Sequence, residues 1–197
     1  MPKTANKVNF GLKNVYYAKI TETTGENGPV VEYATPVPMP GGASMSMPKN
    51  ADRVAVPADD DPEYAVVYNN KGYDGNIVLY NVPDSFFTDC LGEVVEGDTV
   101  VENKDAQPSP FALLFEFSGD KHATRHVFYR CLATNPDVAS ETKGESITAN
   151  QVTVNIKASP ALDTGNIKRR CSAAESEVYK NWFDEVQVSG GTATAEE

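Results

Sequence analysis

The chain has 197 residues, 40% of them hydrophobic, which is enough for one sizeable β domain with a real core. Its 28 acidic against 17 basic residues leave a formal charge of −11, so it carries no electrostatic footprint for gripping phosphate backbones, and stable nucleic-acid binding is disfavoured. Cys90, Cys131 and Cys171 are odd in number and lie in apolar patterns, which suits buried thiols in a reducing compartment better than a disulfide framework.

The opening residues, Pro2 to Asn9, are polar and patternless and predict a mobile arm, spanning 1–10 at its widest, with no signal peptide. The first strand is expected from Val15 to Thr21. The turn Gly25-Glu-Asn-Gly28-Pro29 then returns the chain as Val30 to Tyr33. Pro36, Pro38 and Pro40 cannot donate ladder hydrogen bonds, so this stretch belongs to an extended connection or a sheet edge, with a short strand from Ala43 to Met47. From Pro48 to Pro62 the chain holds Asn50, Asp52, Pro57 and the run Asp59-Asp60-Asp61 with little to bury. A long insertion loop is expected there, between strands.

Glu63 to Asn69 reads as a strand, Asn69 to Gly72 as a turn, and Ile77 to Val82 as a further strand. Phe86, Phe87, Cys90 and Leu91 fall at helical spacing, with Asp84 or Ser85 as the cap and Gly92 as the stop. A short strand or hairpin follows around Glu96-Gly97-Asp98. The run from Phe111 to Pro136 predicts one long hairpin around Ser118-Gly119-Asp120. In its first arm Leu113, Phe115 and Phe117 oppose Leu114 and Glu116. In its second, Val127, Tyr129, Cys131 and Ala133 oppose His126, Phe128, Arg130 and Leu132. Both faces are apolar, which calls for cover by the chain's own domain on one side and by a neighbouring copy on the other.

Gln151 to Lys157 alternates strictly, with Val152, Val154 and Ile156 inward. Ile167 to Cys171 is expected as the last strand, then a helix with capping-box spacing at Ser172 to Glu175 and the packing stripe Val178, Tyr179, Trp182, Phe183 and Val186. Residues 1–188 form one domain in this reading, and 189–197 a disordered tail.

Candidate chemistry is sparse. On a strand His122 and His126 would share a face but stand roughly 13 Å apart, too far to ligate one metal ion. Asp59, Asp60, Asp61 and Glu63 lack the alternation and glycine of a calcium loop and read as a solvated acidic segment. The serines show no G-x-S-x-G elbow, and Gly72-Tyr-Asp-Gly75 precedes no helix that could seat a phosphate. Lys168, Arg169, Arg170, Lys157 and Arg130 lie near strand ends, where pairing with acidic groups of the same or an adjacent subunit is expected. No cofactor or metal is implied.

Taken in order, Phe10-Gly-Leu-Lys-Asn-Val-Tyr-Tyr-Ala18, Pro36-Val-Pro-Met-Pro-Gly41, Asn69-Asn-Lys-Gly-Tyr-Asp-Gly75, Phe86-Phe-Thr-Asp-Cys-Leu-Gly92, the Phe111 to Pro136 hairpin and Tyr179-Lys-Asn-Trp-Phe183 resemble the major tail (tail tube) proteins of long, non-contractile-tailed bacteriophages, of siphovirus type. The resemblance implies a mainly β, two-sheet sandwich or barrel-like fold with a short flanking helix, a long inter-strand loop and extended terminal arms. It implies rings, usually hexameric, that stack into a hollow tube around a tape-measure protein, meet tail-tip and terminator proteins, and conduct DNA to the host without binding it. The expected place is the virion tail, assembled in the bacterial cytoplasm. An acidic chain suits such a channel, because a lining with few cations leaves no phosphate site at which a duplex would stall.

The 48–62 loop is the expected ring-to-ring or subunit contact. The expected interface residues are Asp52, Arg53, Asp59, Asp60, Asp61, Tyr64, Arg169 and Arg170, with the acidic run meeting the basic residues near Arg169. Alternative classes are another virion part, such as a tail-completion, neck or adhesion module, and a β-sandwich hydrolase, for which the sequence offers no carboxylate or metal site.

Overall fold

A computed structural model describes residues 6–26, 28–140, 142 and 149–188. The chain is mainly β, with a large antiparallel sheet and short helices. Its elements in order are β1 (Asn9–Gly25), β2 (Gly28–Tyr33), β3 (Val37–Pro38), β4 (Gly42–Ser46), β5 (Lys49–Ala58), β6 (Asp61–Leu79), α1 (Asp84–Cys90), β7 (Val94–Glu96), β8 (Thr99–Val101), β9 (Phe111–Gly119), β10 (Thr124–Ala133), β11 (Val152–Ser159), β12 (Lys168–Cys171) and α2 (Glu177–Lys180).

In place of two separate sheets there is one ten-stranded antiparallel sheet, with β7 and β8 forming a small ribbon of their own. The main path runs β2-β1-β9-β10-β11-β6-β4. Its two ends are tied together by the proline segment: β3 pairs with β1 through Tyr16–Pro38 and Tyr17–Val37, while β4, a few residues on, pairs with β6. The Met39 amide donates to the Val15 carbonyl at 2.7 Å, and the Tyr80 amide to Gly41 at 2.9 Å. The prolines therefore occupy a seam where the curled sheet meets itself, a place that needs few ladder donors.

Inside the curl lies the larger core. Val15, Tyr17, Ile77, Leu79, Phe111, Leu113, Phe115, Phe128, Cys131, Val154 and Ile156 pack together, and Phe86, Cys90 and Leu91 of α1 and its C-cap pack with them. Phe86 meets Tyr17 and Phe111 edge to face, at centroid distances of 5.2 Å each. The α1 start differs from expectation: Pro83 is the N-cap and no side chain caps the helix, whereas Gly92 follows it at φ +80° as the stop signal requires.

The long hairpin forms as β9 and β10, and β9 alternates as read. The second arm departs from strict alternation, because a bulge between Phe128 and Cys131 inserts one extra residue opposite β9. Cys131 and Ala133 therefore join Phe128 in the inner core, while Val127 and Tyr129 face the other way. That other face is covered by the same chain. Trp182 and Val186 close over Ala18, Ile20, Ala112, Leu114, Val127 and Tyr129, and Trp182 is fully buried with its indole N–H donating to the His126 carbonyl at 3.3 Å.

Side-chain bonds clasp this C-terminal segment to the sheet. Buried Glu116 accepts from Asn14 at 2.7 Å and from Arg125 at 3.2 Å. The Arg125 guanidinium lies 3.9 Å from the Tyr179 ring centroid, 4.9 Å from that of Phe183, and donates to the Tyr179 carbonyl. The Tyr129 hydroxyl donates to the Gln187 carbonyl at 2.7 Å. The helix here is shorter than the stripe suggested, and its N-cap is Ser176, whose Oγ accepts from the Tyr179 amide at 3.1 Å, not the Ser172 to Glu175 box.

The N-terminal arm is partly anchored, contrary to expectation. Asn6 donates to the His122 carbonyl at 2.7 Å, and Asp120 accepts from the Lys7 amide at 2.8 Å. Residues 1–5 and the 189–197 tail lie outside the described residues.

Because Trp182 seals a whole face of the sheet, Trp182→Ala is expected to lower unfolding free energy by about 3–5 kcal/mol. A urea titration followed by far-UV circular dichroism measures this.

Candidate assembly site

The expected loop at 48–62 is a strand pair. β5 runs antiparallel to the first part of β6 from Lys49–Tyr73 to Ala58–Asp61, and the expected turn at Asn69 to Gly72 is continuous strand. Ten residues at about 3.3 Å each make a ribbon roughly 30 Å long. Acidic and proline residues hid β5 in the sequence, whereas the strand expected at Glu63 to Asn69 forms within β6. Asp59 and Asp60 are the two central residues of the hairpin turn, at φ +49° and +64°. Positive φ at both positions is what a two-residue type I′ turn demands, and Asp tolerates it. The Asp59-Asp60 pair is thus turn chemistry first.

At the root, β6 carries one extra residue, Lys71, between the pairs Asn50–Gly72 and Ala51–Asn70. This bulge re-aims the ribbon where β6 leaves β11. Gly72 is buried there at φ +104°, and a Cβ on it would stand 2.0 Å from the Ala158 carbonyl oxygen. No other residue type fits that spot without moving β11.

Beyond the root, no residue from Lys49 to Lys71 is buried. Cross-strand partners share a face, so Val54 with Val67 and Val56 with Ala65 line one side, and Arg53 with Tyr68 and Ala55 with Val66 line the other. Val54 is 56% exposed, Val67 57%, Tyr64 62% and Tyr68 73%. A two-stranded ribbon is marginal in water, and this one has apolar side chains on both faces with no cover from its own domain.

The expected site residues separate into two groups. Asp52, Arg53, Asp59, Asp60, Asp61 and Tyr64 all lie on the ribbon. Asp52 pairs with Lys71 at its root; Arg53 pairs with Glu63 at 2.5 Å, and hydrogen bonds to Glu63 and Tyr68 raise the guanidinium pKa. Asp61 accepts from the Glu63 amide at 2.9 Å. Arg169 and Arg170 lie on β12, and among the described residues no hydrogen bond or ion pair joins them to the ribbon. Arg169 is committed within the chain, donating to the carbonyls of Gln187 and Val188 at 3.2 Å each. Arg130 is likewise paired within the chain, with both Glu22 oxygens at 2.6 and 3.2 Å. Val54, Val56, Val67 and Tyr68, the apolar half of the ribbon, were not singled out from sequence. Their signal was the run Val54-Ala-Val56 facing Tyr64-Ala-Val-Val-Tyr68 across an Asp-Asp turn.

The other candidate groups fall into structural places. Among the described residues no cluster of three or more His, Cys, Asp or Glu side chains is arranged to hold a metal ion. Burial pushes the Cys90 and Cys131 thiols up, away from the thiolate form. His126 stacks on Phe115 at 5.2 Å with the rings 6° from parallel. Burial, then the nearby charges of Lys168 and Arg170, lower its pKa from 6.5 to about 4. Among the described residues no helix is long and apolar enough to cross a membrane. No protein-family model and no curated protein matches the sequence.

Two outcomes follow from this geometry. Gly72→Ala is expected to cost at least ~2 kcal/mol through backbone clash and positive φ, and to lower the midpoint of thermal unfolding. The depressed His126 pKa means that the unfolded chain binds a proton between pH 6.5 and about 4 that the folded chain does not. Stability therefore falls as pH drops through that window, by up to about 3 kcal/mol, and His126→Gln flattens the dependence measured by urea titrations at each pH.

Proposed function

We propose that this chain is a structural virion protein of the tail-tube kind. Its copies associate into rings, hexameric as is usual for the proteins it resembles, and the rings stack into the hollow tail of a long, non-contractile-tailed phage. A tape-measure protein occupies the lumen during assembly, tail-tip and terminator proteins close the ends, and DNA later passes through to the host.

The observation that carries this reading is the β5–β6 ribbon. The curled sheet buries its inner face with α1 and the outer face of its hairpin with the Trp182 segment, so the domain covers itself. Among the described residues the β5–β6 ribbon is the longest element left exposed along its length, with apolar side chains on both sides. Burying a Val, Leu, Ile, Phe or Met side chain is worth roughly 1.5–3 kcal/mol, so several ribbon side chains buried together would hold subunits in register. The net charge of −11 supports the same reading, because a conduit for DNA works by not adsorbing it.

The self-association expected of the hairpin faces is thereby transferred to the ribbon. Replacing residues 51–70 with an Asn-Gly turn between Asn50 and Lys71 removes most of both ribbon strands and keeps the β4 and β11 pairings of β6. The expected outcome is a folded, monomeric protein, whereas the full chain forms tubes, alone or nucleated by tail-tip and tape-measure partners. Negative-stain micrographs and sedimentation velocity check this, and normal tubes from the excised form would overturn the role given to the ribbon.

A further inference from the structure

Among the described residues no cation neutralises the carboxylates at the ribbon tip. Asp59, Asp60 and Asp61 form no ion pair there, while Arg53 is paired with Glu63 and Lys71 with Asp52 lower on the ribbon. Pro57 and Pro62 flank the turn and remove backbone donors on either side of it, so the tip cannot join another sheet as a regular strand. What it offers is acceptor oxygens.

A matching set of donors stands on β12. The Tyr129 amide donates to the Ile167 carbonyl at 3.0 Å, which makes residues 167, 169 and 171 the closely bonded positions opposite β10. By the alternation of an antiparallel ladder, Lys168 and Arg170 then turn their own N–H and C=O groups away from β10. Among the described residues β12 pairs with no other strand, which leaves that edge without a ladder partner. Both residues are exposed, lie two apart on one face, and form no ion pair among the described residues. Lys168 Nζ sits 4.9 Å from the Tyr73 ring, within one residue of the ribbon root at Gly72. Two exposed cations without a carboxylate partner among the described residues, Lys168 resting on the Tyr73 and Phe128 rings, thus coincide with backbone donors turned away from β10.

We infer that the acidic tip of the ribbon, Asp59 to Asp61, docks on the outer edge of β12 of a second copy, with Lys168 and Arg170 as the receiving cations. This rests on the self-assembly reading above. In a chain of charge −11, two copies repel unless an unpaired cationic patch meets the acidic one, and charge complementarity therefore selects this edge. Carboxylates accept well from guanidinium, ammonium and backbone N–H groups together. Tip and edge are different patches of the same molecule, so the contact is head to tail, the kind that propagates into rings or filaments instead of closing on a dimer. The receiving residues are Lys168 and Arg170, since Arg169 already holds the C-terminal segment.

The test uses the full chain under conditions where the wild type polymerises. Asp61→Lys and Arg170→Asp, each alone, are expected to raise the protein concentration needed for assembly by about tenfold, and the two together to restore it toward the wild-type value. Asp59→Asn with Asp60→Gly keeps the turn favourable while removing two charges, and is expected to weaken assembly without lowering the unfolding midpoint. Pelleting and sedimentation velocity give the readout. Variants that all assemble at the wild-type concentration would overturn this docking and leave the tube reading standing. A wild type that stays monomeric even with tail-tip and tape-measure partners would overturn both.

Discussion

The two-faced hairpin of β9 and β10 governs how this molecule is built. Neither of its faces tolerates water, and the curl of the sheet, α1 and the Trp182 segment are placed by the need to cover one or the other. The inner face is buried by curling the sheet until the proline segment joins β1 to β6, and α1 packs against the same core. The outer face is buried by an irregular C-terminal segment with one tryptophan. Hydrophobic burial sets this arrangement, and the Glu116–Arg125–Tyr179 clasp gives it a single geometry, because a buried carboxylate without its two donors would be costly.

Once the domain has covered itself, the exposed ribbon stands out. Its extra residue at the root and the close approach of Gly72 to β11 are local irregularities of the kind that redirect a strand, and they launch β5 and β6 away from the sheet. A ribbon with exposed valines and tyrosines along its two faces is poorly suited to solvent, and the three carboxylates at its end keep it hydrated. It is well suited to lying between subunits. Function in this reading is carried by a surface that the monomer leaves incomplete, and the acidic character of the rest of the molecule keeps copies apart except where that surface fits.

Much of the fold was legible in the residues. The Gly25 to Gly28 turn, the hairpin from Phe111, the half-buried strand at Val152 to Ile156 and the helix at Phe86 to Leu91 all follow from local periodicity and turn chemistry, and each forms close to where it was expected. The candidate site was half legible. Asp52, Arg53, Asp59, Asp60, Asp61 and Tyr64 do share one projecting element. The strand under Tyr64 was read at Glu63 to Asn69, but β5 was obscured because prolines and acids, depleted from ordinary strands, are permitted on an exposed ribbon whose outer edges need no partner.

Periodicity along the chain thus determined most of the segments that are extended or helical, and composition determined that the molecule is acidic. Tertiary structure alone decided the faces. A bulge at Phe128 to Cys131 moves two residues to the opposite side of the sheet, the Trp182 segment takes the place expected of a neighbouring chain, and Arg169 is held by carbonyls 18 and 19 residues away in sequence. One inserted residue reverses every side chain beyond it, and cover from a distant segment depends on where the chain comes back, so neither is written in the local pattern.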